Sequence, residues 1–167
     1  MAMLVIGCDH AGVELKNYII SRRDDIYEGG MSVNVMDVGC FNDTSVDYPD
    51  IVDKLIDAYK HNKNNYEYVL GVLICGTGLG MSISANKYKG IRAALVTNRH
   101  HAKLARQHND ANILCLGARE NIKEIGFLPG DEPYPVIFAW IKIFANTEFE
   151  GNRHKRRIEK IIEKEGL

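Results

Sequence analysis

Residues 69–87 read VLGVLICGTGLGMSISANK. An apolar run ends on Cys75, glycines follow at 76, 78 and 80, and a segment of helical period opens at 79. A β-branched run that stops at a glycine-rich turn and restarts as a helix is a strand–turn–helix unit. The unit recurs. Strand candidates 3–7, 33–38, 69–74, 91–96 and 112–116 alternate with helix candidates 11–22, 48–61, 79–88 and 99–108, and helices at 135–146 and 152–165 follow. Strands alternating with helices specify βαβ units and a parallel sheet. The strand runs are apolar on nearly every residue, which requires helices on both faces. The expected fold is α/β: one doubly wound, five-stranded parallel sheet forming a single domain over 1–167. A ligand site then belongs beyond the carboxyl ends of the strands, at the switch point.

The bulk properties narrow the function classes. The 167 residues are 46% hydrophobic and 26% charged, the balance of a soluble globular chain. A formal net charge of −1 gives no general attraction to nucleic acid or anionic lipid, so an anionic ligand must be met by a local cluster. No apolar run approaches the roughly 20 residues of a membrane helix. The opening MAMLVIGCDH runs directly into a strand and lacks the order of a signal peptide, so a cytoplasmic location is expected. The lysine- and asparagine-rich YKHNKNNYEY (59–68) reads as a solvated connection. LPGDEPYP (128–135) carries three of the four prolines and reads as a loop.

The four cysteines, Cys8, Cys40, Cys75 and Cys115, share no CxxC spacing, which argues against a zinc ribbon or a thioredoxin-type site. Cys40 and Cys115 read as small hydrophobes at strand ends. Cys75 is different. CGTGLGMS matches neither the dinucleotide fingerprint nor the Walker phosphate loop. What remains is a thiol at a strand end, beside turn amides and a helix N-terminus, the surroundings in which thiolates are found. On the residues alone, reagent and filler are evenly matched. Asp9 and His10, in GCDHAG (7–12), end the first strand and share its sheet edge. In helix 99–108, His101, Leu104, Ala105 and His108 share one face; His101 reads as a core residue and His108 can reach a cleft. Arg153 and Arg157 stand one helical turn apart and can clasp a phosphate, with Ile158, Ile161 and Ile162 on the packing side.

Taken in order, GCDHAG, DYP (47–49), LICGTGLGMSISANK (73–87), GIRAA (90–94), RQHNDAN (106–112), LGAR (116–119) and EGNRHKRRIEKI (150–161) resemble the signature segments of the ribose-5-phosphate isomerase B family. That family includes allose- and galactose-6-phosphate isomerases. The resemblance implies a Rossmann-like sheet, a homodimer or a dimer of dimers, active sites at the subunit interface, a sugar-phosphate substrate, and no metal or other cofactor. It implies that Cys75 moves a proton between C1 and C2. The amides of Gly76, Gly78 and Gly80 would hold the enediolate with Thr77 assisting, and His108 would open the sugar ring, supported by Asp9 and Asn109. His10, Arg119, Arg153 and Arg157 would bind phosphate, the last two from the partner on the C-terminal helix, and Tyr48 would line the pocket. Some members carry serine for the cysteine and a glutamate base four residues later; here that place is Leu79, which sets the chain in the cysteine branch.

The resemblance weakens at TNRHHAKL (97–104), and 61–68 and 128–135 read as insertions. A six-carbon sugar phosphate is an alternative substrate. A nucleotide-binding module and a redox or metal cluster of Cys8, His10, Cys75 and His108 are rival readings from other classes.

Overall fold

The computed structural model describes residues 1–125 and 133–166, so most of the proline-rich 128–135 segment lies outside the described residues. Among the described residues, five strands alternate with helices as the apolar runs require and three helices follow the last strand: β1 Ala2–Cys8, α1 Val13–Ser21, β2 Val33–Asp37, α2 Tyr48–Asn62, β3 Tyr68–Cys75, α3 Leu79–Ala85, β4 Ala93–Leu95, α4 Arg99–Asn109, β5 Ile113–Gly117, α5 Glu120–Ile125, α6 Tyr134–Asn146 and α7 Asn152–Ile162. The strands form one all-parallel sheet in the order β2-β1-β3-β5-β4.

Alternate side chains of each strand feed two cores. Leu4, Ile6, Leu70, Val72, Ile74, Leu114 and Leu116 pack with α1, α4 and α6 through Leu15, Ile19, Ala102, Ile137 and Trp140. Met3, Val5, Leu73, Cys75, Ile113 and Cys115 pack with α2 and α3 through Ile51, Leu55, Ile56 and Met81. Every residue of β1 and β5 is buried, which explains runs that are apolar without interruption.

Several boundaries differ from expectation for local reasons. The first helix opens with a 3₁₀ turn at His10–Gly12, capped by the Asp9 carboxylate. α3 stops at Ala85 because the Asn86 side chain takes both backbone groups of Ala93 instead of continuing the helix. The last helix ends at Ile162 in a 3₁₀ turn over Glu163–Gly166. α5 has no counterpart in the sequence reading; its six residues are too short to show a period. In the 59–68 segment, Tyr59 and Asn62 are buried, since α2 continues through them. His101 is exposed rather than in the core, facing the Thr97 hydroxyl at 3.2 Å. Ile158 is buried, but Ile161 and Ile162 are exposed. Among the described residues no helix is long and apolar enough to cross a membrane.

Candidate active site

The expected site residues fall into two groups at opposite edges of the sheet. The first stands at the carboxyl edge. Cys75 closes β3, and its carbonyl accepts from Ala118 N–H at 2.8 Å while Gly76 O accepts from Arg119 N–H at 3.0 Å. Asp9 N–H donates to Ile74 O at 3.0 Å, which ties the end of β1 to the same place. Cys75, Gly76, Thr77, Gly78, Asp9, His10 and Arg119 are therefore neighbours.

Cys75 is nearly buried, and its sulfur accepts the Gly78 N–H at 3.1 Å. Such a bond strengthens when the sulfur carries negative charge. The turn that delivers this amide depends on Gly78, whose φ of +76° is left-handed and whose missing side chain would strike the backbone of Leu116 at 2.9 Å. Thr77 Oγ1 accepts from Leu79 N–H at 3.2 Å, which leaves its own hydrogen to donate outward. Two of the turn amides are thus committed within the protein, that of Gly78 to sulfur and that of Leu79 to Thr77. Gly80 lies under the ring of Tyr48, where a Cβ would come within 2.7 Å of the ring. The close approach sets Tyr48, the first residue of α2, over the turn. Arg119 lies against Gly76, its Cδ 3.7 Å from where a Cβ would stand.

Other groups at this edge divide into fixed and free. Asp9 Oδ1 accepts Ala11 N–H at 2.9 Å. His10 Nδ1 is buried without a hydrogen-bond partner among the described residues, a cost of about 1–3 kcal/mol that a ligand can relieve. Burial pushes the Cys8 thiol up to about 12 and raises Cys115 as well, so both are inert. Cys8 and Cys40 donate their S–H to backbone carbonyls. The rival Cys8–His10–Cys75–His108 cluster is not formed: Cys8 is spent on Cys40 O, and His108 stands at the other edge.

The second group is at the amino edge. α4 returns from the end of β4 to the start of β5, so its last residues, His108 and Asn109, lie where the strands begin. Arg92, just before β4, holds them there: its Nε donates to Asn109 O at 2.9 Å, and its Nη2 reaches the Asp110 carboxylate at 2.8 Å. α7 packs alongside and carries Arg153 and Arg157, both exposed. His108 stacks on His154 with ring centroids 4.1 Å apart and planes inclined by 9°. Glu150 Oε2 stands 3.9 Å from His108 Nε2 and 3.6 Å from His154 Nε2. Burial, the neighbouring His108, and the Arg153 and Arg157 guanidiniums hold His154 below the ordinary histidine range, against the pull of Glu150. Glu150 and His154 were missed in the sequence; Glu150 lies in the turn before α7 and His154 in its first turn, so no helical period linked them. The donor atoms of His108, Glu150 and His154 lie within 4.8 Å of one another, the set among the described residues that could hold a metal ion. Two flanking guanidiniums oppose a cation there.

A cavity of about 710 Å³ opens at this same edge, lined by Arg92, Asn109, Ile161 and Lys164, and it does not include Cys75. Its place agrees with the second group only. Within one chain, Cys75 and Asp9 never meet His108, Asn109, Arg153 or Arg157.

A match to the ribose/galactose isomerase family runs through residues 4–161. The chain belongs to that family. Its relatives include a probable ribose-5-phosphate isomerase B of Mycoplasma pneumoniae, 40% identical over 95% of this chain and 92% of that one. The ribose-5-phosphate isomerase B of Escherichia coli is 36% identical over 96% of this chain and 95% of its own. Among solved structures, the Clostridium thermocellum ribose-5-phosphate isomerase B superposes with a TM-score of 0.80 at 39% identity, covering 98% and 97% of the two chains. The Mycoplasma genitalium enzyme with bound ribulose-5-phosphate superposes at 0.79 with 38% identity, over 99% and 97%. The α/β fold with its five parallel strands is therefore that of the isomerase family, as expected from the sequence.

Proposed function

We propose that this chain is an aldose–ketose isomerase that interconverts ribose 5-phosphate and ribulose 5-phosphate, working as a homodimer in the cytoplasm. The observation that carries it is the Cys75 sulfur receiving a turn amide at the sheet edge where His10 Nδ1 has no partner among the described residues. An aldose–ketose shift needs a base at the carbon and stabilisation of the oxygen that becomes negative. In the forward direction His108 takes the proton of the anomeric hydroxyl as the C1–ring oxygen bond breaks, and the imidazolium then gives that proton to the ring oxygen, which becomes the C4 hydroxyl. Cys75 as thiolate then removes the C2 proton of the open aldehyde. Negative charge passes to O1, where the uncommitted amides of the Gly76–Gly80 turn and the Thr77 hydroxyl receive it. The O2 hydroxyl passes its proton to O1, the Cys75 thiol returns the carbon proton to C1 as the C2=O bond forms, and the ketose is complete with the thiolate restored.

The separation of the two groups supports a site completed by a second copy. His10, Arg119 and Tyr48 bind substrate beside Cys75; His108, Asn109, Arg153 and Arg157 are supplied by the partner. The exposed Ile161 and Ile162 supply apolar surface for that contact.

The test is turnover of ribose 5-phosphate measured beside allose 6-phosphate and galactose 6-phosphate. Ribose 5-phosphate should be the preferred substrate, and Cys75→Ala should lower the rate by about 100- to 10,000-fold with the fold intact. Cys115→Ala should retain activity. Preference for a six-carbon substrate, or an active Cys75→Ala chain, rejects the reading.

A further inference from the structure

Ring opening, as that reading assigns it, falls to a histidine one third exposed at the end of a helix. Such a side chain has freedom to turn away. The structure removes it. His154, buried on α7, lies flat against the His108 ring, and the turn before α7 presents Glu150 to the edges of both rings. That turn is itself pinned to α4: Glu150 N–H donates to Gln107 O at 3.0 Å, next to His108 in the chain.

We infer that Glu150 and His154 are positioning residues for His108, fixing the plane of its imidazole and supporting the positive charge it acquires during ring opening. The inference rests on the isomerase reading. The carboxylate's 3.9 Å separation from His108 Nε2 closes to a hydrogen bond by a small rotation or through one water. Arg153 Nε donates to His154 Nε2 at 3.4 Å, so that nitrogen is an acceptor and the lower ring is neutral. A neutral ring can stack beneath an imidazolium without repelling it. The field around the pair is otherwise positive, from Arg153 and Arg157, and Glu150 is the carboxylate that faces both rings. It offsets the charge that appears when His108 takes the anomeric proton. A metal fits less well, because rings stacked at 9° direct their lone pairs side by side instead of toward one point.

The experiment separates ring opening from proton transfer at carbon. Ribulose 5-phosphate has its 5-oxygen esterified and cannot close to a furanose, so deuterium wash-in at its C1 requires Cys75 but no ring opening. Conversion of ribose 5-phosphate requires both. Glu150→Gln should lower ribose 5-phosphate turnover by about 10- to 100-fold while wash-in stays within about two-fold of wild type. Glu150→Asp should recover part of the loss. His154→Phe, which keeps a stacked ring, should retain more turnover than His154→Ala. Glu148→Gln, an exposed neighbour, should change neither readout. Equal losses in both readouts, unchanged ribose 5-phosphate turnover in Glu150→Gln, or loss of wild-type turnover with a chelator would each overturn the inference alone. Wild-type protein inactive in both readouts would overturn the isomerase reading and this inference with it.

Discussion

If the site is shared between two chains, two inactive variants should rescue one another. Take Cys75→Ala and His108→Asn. In the sheet Gly71 pairs with Ile113 and Cys75 with Gly117, so Cys75 stands four residues, about 13 Å, above the start of β5. His108 precedes that start on the last turn of α4, which adds to the distance. The two groups act on atoms within two bonds of each other, each at a reach of about 3 Å, so they must come within about 9 Å. Within one chain the two groups stand beyond that limit, and the shared-site proposal brings them together across a two-fold axis. Each variant alone should retain about 1% of wild-type activity or less. In a 1:1 exchanged mixture about half the dimers are mixed, and each has one site with both defects and one with neither, so about one quarter of wild-type activity should return. The assay is ribose 5-phosphate turnover before and after exchange, with native mass spectrometry counting mixed dimers. A mixture that contains mixed dimers and stays at the level of its parents refutes the shared site. The Arg153→Ala/Arg157→Ala chain should complement Cys75→Ala in the same way.

Three further outcomes follow from the geometry. Gly78→Ala should cost about 1–2 kcal/mol from its left-handed backbone alone, more from the clash with Leu116, and it should abolish turnover because the amide on Cys75 moves; denaturant unfolding and rate assays check both. Lys16, fully buried, bonds Asp37 at 2.8 Å and Cys40 O at 2.7 Å, so Lys16→Met should destabilise by about 3 kcal/mol through the carboxylate left unpaired, read as a lower urea midpoint. Because His154 is held below its unfolded value of 6.5, the unfolded chain binds more protons on acidification. Stability from this residue is thus fully present above about 6.5 and is lost as pH falls through the folded value; melting temperatures from pH 7.5 to 5 should fall less steeply in His154→Phe.

The sheet was legible in the sequence because a strand buried on both faces admits few polar residues, so β1, β3 and β5 stand out as unbroken apolar runs. Edge strand β4 was placed with excess length, since Arg92 and Asn112 bond each other's backbone there and stop the ladder. The turn after β3 was legible too: glycines are required where the chain turns left-handed or passes under Tyr48. Helix α5 was not, being shorter than two helical turns. His101 was misread because its helix face carries both a buried alanine and an exposed rim, and one period cannot separate them. By itself, then, the sequence determined the strand–helix order, the cysteine turn and the residue types of the candidate site, all of which depend on neighbours in the chain. Only the tertiary structure decided which of those residues share an edge. That choice follows from the direction of α4, which carries His108 away from Cys75 to the far end of the sheet. It also brought Glu150 and His154 to His108, through the packing of α7 on α4, a contact no local pattern encodes.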